Sequence, residues 1–495
     1  MSRESAKAKY TRLSGDPEVG YISPDDVMDA IDIMYDDLVS SPVVDASVAA
    51  DADIDRSKIA GTALTSESMG VFNVLDYGAT GDGETDDIEA LQDAFDAAGA
   101  GTVLFPAGYT FAVSEAIIPT AGVTAIGHGA TLLNTTKHLP VFDIVMTDDV
   151  TILGLSFLTE ESRTYEGGAS VRDNDVYAMW AGVLASGARL TVRDCTFTGF
   201  TCGISLHTWN GATRGGSCTG PTVIDCAFYG NDFGILVETA SDVTLRGIRG
   251  TYSKQTGVGN PPHLIYLSRS HLQPDNTNVT IGDVHGWDGT EGHCVQVKYT
   301  VGAQVSGIFA DNCAGILSIA ATSQAHISGL TATNDDTPTA GSIYMQYGCE
   351  DIVVDRVLIA TAWPTTPGAR AGRIAGDRLV ATNLTSLCDW SEQTDVAEWL
   401  VDGNGIDVRG VSSFNQSAYG AVVVLVAPAS TGVTVTDVRA ANCRSGVKFD
   451  ASATGAVDVC GDFIVCGASI YSPFKVYAPS GVKFLAATGA AGGLL

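Results

Sequence analysis

Five of the eight histidines lie between positions 207 and 293 (His207, His263, His271, His285 and His293), and Trp180, Trp209 and Trp287 fall in the same stretch. Aromatic faces stack on sugar rings, and imidazoles hydrogen-bond hydroxyls. The grouping therefore points to a glycan-binding surface built from Trp180, His207, Trp209, His263, His285, Trp287 and His293. The alternative is that these rings only pin long loops. If the surface also cleaves, Asp288 and Glu291 are the acids nearest the histidines in the chain. A carboxylate pair at suitable separation can act as acid and base or as nucleophile. Asp194 and Asp225 form a second candidate pair, or else are solvent-facing turn residues like Asp283, Asp355 and Asp437. A lyase would need a base plus a cation beside a uronate, and no calcium-ligand cluster stands out. With eleven cysteines and no CxxC pair, neither a metal site nor a disulfide framework is indicated, and no cofactor is expected.

Such side chains must be held by a repeat. Leu190-Thr-Val-Arg-Asp194-Cys195-Thr-Phe197-Thr-Gly199 recurs 31 residues later as Thr222-Val-Ile-Asp225-Cys226-Ala-Phe228-Tyr-Gly230. A second short apolar strand follows each copy, at Gly203–Leu206 and Gly234–Val237. Weaker copies run from Val150 to Ile464, which predicts about a dozen coils of a solenoid, roughly 55–60 Å long at a strand spacing of about 4.8 Å. Val, Ile, Leu, Phe and Cys then fill the axis. Chemistry should concentrate where the repeat is interrupted, at 159–181, 207–221, 251–263, 269–278 and 285–293.

The solenoid opens with Phe72-Asn73-Val74-Leu75-Asp76-Tyr77-Gly78-Ala79 and Gly81-Asp82-Gly83-Glu84-Thr85-Asp86-Asp87. A capping helix is expected over 86–98, with Thr85 as its cap and Ile88, Leu91 and Phe95 on its apolar stripe. A strand, the Pro106-Ala107-Gly108 turn and a second strand follow. Residues 72–113 closely resemble the opening segment of right-handed parallel β-helix proteins of the pectate-lyase and viral-tailspike superfamily. The resemblance implies an all-β chain, a right-handed parallel β-helix over 71–470, with a small helical and extended attachment region at 1–70 and a tail or cap at 471–495. As to activity it is silent, because lyases, glycosidases and non-enzymatic spikes share this segment. The polygalacturonase signature is broken: Asn276-Thr277-Asn278 lacks the acid, no Asp-Asp precedes Gly292-His293-Cys294, and Val297-Lys298 lacks the arginine.

Within 1–70, Ser23-Pro24 begins a short amphipathic helix whose seam is Val27, Ile31, Met34 and Leu38, and a polar linker follows. The net charge of −30 argues against nucleic acid as a partner. Asp outnumbers Glu and Arg outnumbers Lys, the surface of a halophile. No apolar run spans a membrane and no signal peptide opens the chain. Together these features lead us to expect a virion protein made in the host cytoplasm: a tailspike, tail fibre or vertex spike, resembling those of a virus of a halophilic archaeon. It would be a homotrimer, bound to other virion proteins through 1–70, and would recognise a host-surface glycan or glycoprotein. The competing expectation is a polysaccharide hydrolase or lyase.

Overall fold

The computed structural model describes residues 70–159, 180–206, 217–253, 261–269, 274–289, 291–333, 342–360, 370–388, 397–414, 422–441, 445–450, 453, 455–458, 476–477 and 483–484. The expected helix in 1–70, most of the C-terminal tail, and His207, Trp209 and His271 lie outside the described residues.

Each coil contributes to three parallel sheets. The second sheet is the most regular. It begins with Val71–Asn73, Thr102–Leu104, Thr124–Ile126, Thr151–Leu153, Thr191–Arg193 and Thr222–Ile224, and the middle residue of most of these triplets is buried while its neighbours are half-exposed. β-Branched residues alternating in this way suit a pleat with one dry face. Among the described residues, sixteen strands follow one another in this sheet, ending with Lys483–Phe484, a stack of about 70 Å. The fold is a right-handed parallel β-helix. It has more rungs than the repeat count suggested because the first coils lack the Asp-Cys pattern, and the ladder continues through Val476–Tyr477 and Lys483–Phe484.

Phenylalanines stack along the axis. The Phe157 ring lies 4.6 Å from that of Phe197, and Phe197 5.1 Å from Phe228, stacked with their planes nearly parallel. Inside the turn after Phe197, the buried Asn231 side chain donates to the Phe197 carbonyl (3.0 Å) and accepts from the Phe200 amide (2.8 Å).

One end of the stack is covered by helix α1, Ile88–Ala98, whose Leu91, Ala94 and Phe95 are buried. Helix α1 starts two residues later than expected, and Thr85 does not cap it. The Thr85 hydroxyl donates instead to Asp82 (2.9 Å). Asp87, at the N-cap position, turns its buried carboxylate back to accept from the Thr80 and Gly81 amides (2.6 and 3.1 Å), and burial raises its pKa. Asp86 accepts from the Ser114 hydroxyl (2.5 Å). This acidic run thus fastens the cap to the first coils.

In the rungs from Thr151–Leu153 to Val433–Ala441, the two corners flanking the second sheet each turn through one residue in left-handed conformation. Between the second and third sheets these residues stack as Gly154, Asp194, Asp225, Gly247, Asp283, Gly307, Gly329, Arg356, Asn383, Gly410 and Asp437. A second ladder, between the first and second sheets, includes Asp149, Arg189, Gly220, Asp242, Asn278, Asp351, Arg378 and Gly405. Gly, Asn and Asp tolerate this conformation best. Where arginine occupies it, an aspartate pairs with it, one rung away in Arg189–Asp149 (2.5 Å) and Arg378–Asp351 (2.7 Å) and next in the chain in Arg356–Asp355 (3.4 Å). Most of the longer sequence intervals between described strands, 160–179, 254–260, 334–341, 361–369 and 389–396, fall between the third sheet and the first, and 207–216 falls between the first and the second.

Candidate functional site

The first sheet carries the site. Its strands His263–Ser268, Val295–Asp311, Leu317–Ser323, Ile343–Met345, Gly372–Asp377 and Ala397–Asn404 lie side by side in parallel. Apolar residues such as Ile265, Val295, Leu317 and Ile343 enter the core, so the residues between them face outward. In register these form the column Tyr266, Gln296, Ser318, Tyr344, Arg373.

Over this column two cavities adjoin. The first, about 330 Å³, is lined by Pro261, His263, Tyr266, Gly292, His293, Gln296, Lys298, Ser318, Tyr344 and Gln346. The second, about 320 Å³, is lined by Tyr344, Gln346, Tyr347, Gly348, Arg373, Ala375, Gly376 and Asp402. Sharing Tyr344 and Gln346, they form one groove along the solenoid. Its polar groups are tied together. Gln296 and Gln346 both donate to the Ser318 hydroxyl (3.2 and 2.9 Å), and Arg373 Nη2 lies 2.5 Å from Asp402 Oδ2. His293 stacks on Tyr344, 6.2 Å apart and 16° from parallel, and Lys298 Nζ sits over the Tyr266 ring, 5.8 Å from its centre.

His263 is buried at the upstream end of the groove. Its Nδ1 is 2.7 Å from the His293 carbonyl oxygen and 3.2 Å from the His293 amide nitrogen. The shorter contact assigns the proton to Nδ1, which donates to that carbonyl. Burial lowers the pKa of the ring to about 3, so it is neutral at any ordinary pH.

The residues singled out from the sequence separate onto different surfaces. His263 and His293 belong to the groove. His285 and Trp287 do not: they stand on the outer face of the third sheet, where His285 lies 5.1 Å from Trp287 and 4.9 Å from Phe309, and Tyr229 meets Trp287 at 6.3 Å. Trp180 is 1% exposed and packs edge-on against His138. A ring with no open face cannot stack on a sugar, so its assignment as a ligand contact is corrected to a packing role.

Asp194 and Asp225 are likewise corrected. Both are exposed turn residues of the ladder between the second and third sheets, away from the groove, and Asp194 pairs with its neighbour Arg193 (3.2 Å). Asp355, grouped with them by sequence, is one position off the ladder and accepts from Thr382 and Asn383 (2.6 and 2.8 Å). Asp288 is exposed at the end of a third-sheet strand, in left-handed conformation, and accepts from Asn312 (2.7 Å). Glu291 is exposed just before Gly292 at the groove edge. Neither Asp288 nor Glu291 lines the cavities. Among the described residues, no three His, Cys, Asp or Glu side chains converge to hold a metal ion, and no helix is long and apolar enough to cross a membrane.

The groove residues that sequence reasoning missed are Tyr266, Gln296, Ser318, Tyr344, Gln346, Tyr347, Arg373 and Asp402. Their signal was available: each of the first five lies beside or between apolar core residues of a first-sheet strand.

Comparison with known proteins gives a family match over part of the chain. Residues 71–259 match the family described as rhamnogalacturonase A/epimerase, pectate lyase-like. A curated relative, mannuronan C5-epimerase AlgE3 of Azotobacter vinelandii, is 39% identical over 89 residues, which is 17% of this chain and 5% of that protein. Among solved structures, the surface protein and adhesin PfbA of Streptococcus pneumoniae is similar over 84% of this chain and 99% of its own, with 15% identity and a TM-score of 0.45. The N-terminal fragment of bacteriophage Phi29 gene product 12 is similar over 83% of this chain and 70% of its own, with 16% identity and a TM-score of 0.43.

Proposed function

We propose that this chain is a structural virion protein, a tailspike, tail fibre or vertex spike, whose first-sheet groove holds a host-surface saccharide without cleaving it. The observation that carries the reading is the lining. Tyr344 and Tyr347 offer ring faces, while Gln296, Gln346 and Ser318 offer donors and acceptors for hydroxyls. Flat rings beside a few fixed polar groups are what a sugar surface requires. Hydrolysis would need two carboxyl groups flanking the scissile bond. The described lining has one, Asp402, and Arg373 engages it.

Placement on a virion rests on the resemblance of residues 72–113 to the opening of tailspike β-helices and on the helix-and-linker pattern of 1–70. Assembly as a homotrimer, attached through 1–70, belongs to the same reading.

A specific observation favours one second reading, a polysaccharide lyase. His293 and Tyr344 are stacked in the groove with Lys298 lining the same cavity, and a base beside a cation is what abstraction of a proton next to a carboxylate needs.

Incubation with purified host-surface polysaccharide separates these readings. Retention of polymer on the protein, with no new reducing ends and no absorbance from unsaturated uronate, is the expected result. Appearance of either product makes the chain an enzyme.

A further inference from the structure

Ten large apolar side chains stand exposed among the described residues, and five of them, Leu158, Tyr229, Phe309, Leu387 and Phe414, lie on the outer face of the third sheet or at its edge. The register joins them into a strip. Leu158 pairs with Thr198 and Thr198 with Tyr229; His285 pairs with Phe309, and Thr331, Leu358, Thr385 and Ser412 continue that column. The rings of Tyr229, Trp287, His285 and Phe309 lean on one another at 57° to 70°, which makes a ridged apolar surface suited to interdigitating side chains.

Acids avoid this face. The chain has 57 Asp and Glu residues, yet in the eleven third-sheet rungs, from 156–159 to 438–441, Asp311 is the one acid among the described residues, and the Thr333 hydroxyl donates to it (2.7 Å). The aspartates gather instead at the corner beside the sheet, where Asp194, Asp225, Asp283 and Asp437 form a polar rim. An apolar middle with a polar rim is the anatomy of a protein interface. Its size also fits. Ten rung spacings make the strip about 48 Å tall, and two outward positions per rung make it about 14 Å wide. That is roughly 700 Å² per copy, close to the about 800 Å² that each partner buries in a standard association.

Resting on the assembly part of the reading above, we propose that a second copy of this chain covers the strip: the third sheets of neighbouring copies pack on one another with their solenoid axes side by side, and the first-sheet groove of each copy stays uncovered. Charge and shape choose this occupant. Copies that each carry a net charge of −30 repel, so they approach through a face poor in acids. A strip more than three times taller than wide matches an elongated partner, and another solenoid presents side chains with the same rung spacing.

The test is sedimentation equilibrium of the full chain in about 1 M NaCl, where the Debye length is about 3 Å and only direct contacts count. The native protein should have three times the mass of the 51.3 kDa chain. L387D and F414D place a like charge in the contact and should each raise the dissociation constant roughly 100-fold or more. V353D changes a side chain of similar exposure on the second sheet and should assemble as the native chain does, with circular dichroism checking the fold of all three. Should an aspartate variant fail to fold, a homobifunctional maleimide reads the same contact: T385C should crosslink copies beyond the native background and V353C should not. An assembly that L387D and F414D leave intact, that V353D breaks equally, or that crosslinks through V353C and not T385C overturns the third-sheet contact while leaving the homotrimer in place. A native chain that sediments as a monomer overturns both, and leaves the saccharide groove untouched.

Discussion

His263 gives a pH dependence whose size can be worked out in advance. The ring is buried, donates to the His293 carbonyl and has its pKa lowered from 6.5 to about 3. Because the folded value is depressed, the unfolded chain takes up a proton below about pH 6.5 that the folded chain refuses. This group's contribution is therefore fully present above pH 6.5 and is lost as pH falls towards 3. Each pH unit in that window costs about 1.4 kcal/mol, so moving from pH 7 to pH 5 removes about 2 kcal/mol. The reference is H263Q, which keeps an N–H donor and does not titrate. Hydrogen exchange of the Val295 and Ile265 amides, which lie in the rungs that His263 joins, reads the local free energy in both proteins. The native-minus-variant difference should shrink by about 2 kcal/mol between pH 7 and pH 5. A difference that stays constant would mean that the folded state binds the proton too, and the assignment of a buried neutral ring would be wrong.

Two further perturbations test the solenoid itself. Gly403 has φ of +149°, and a Cβ there would overlap the Gly376 carbonyl oxygen of the preceding rung; G403A should cost about 3 kcal/mol in denaturant unfolding, and an unchanged midpoint would show that the rungs are looser than described. N231A leaves the Phe200 amide and the Phe197 carbonyl without their buried partner; a loss of about 2–4 kcal/mol is expected, whereas a neutral effect would indicate that water replaces the amide.

The fold was largely legible because its signal is redundant. The alternation in Thr191–Arg193 repeats in Thr222–Ile224, and a motif such as Phe72–Asp87 carries its own turn chemistry. Coil count was less so, since the first three rungs are followed by Val74-Leu75, Phe105-Pro106 and Gly127-His128, where Thr191–Arg193 is followed by Asp194-Cys195. Thr85 misled as a cap because the carboxylate of Asp82 captures its hydroxyl, a preference that spacing does not reveal.

The site was legible only in part, for a physical reason. Residue clustering along the chain groups His263, His285, Trp287 and His293 within a few dozen positions, yet a solenoid distributes one coil over three faces. Neighbours in sequence therefore separate, while Tyr266, Tyr344 and Arg373 converge from different coils. Stacking the apolar triplets in register, with Ile265 on Val295, Leu317 and Ile343, would have exposed the outward column. Without fixed register a lone Tyr or Gln between core residues carries no message.

The central claim is that recognition takes place in the first-sheet groove. Calorimetric titration of purified host-surface polysaccharide into the native chain, Y344A and W287A tests it most directly. Tyr344 lines both cavities and stacks on His293, whereas Trp287 lies on the third sheet. Y344A should weaken binding at least about tenfold, as loss of a central aromatic contact does, and W287A should bind as the native chain does. Weakened binding in W287A with full affinity in Y344A would place recognition on the third-sheet face and contradict the account.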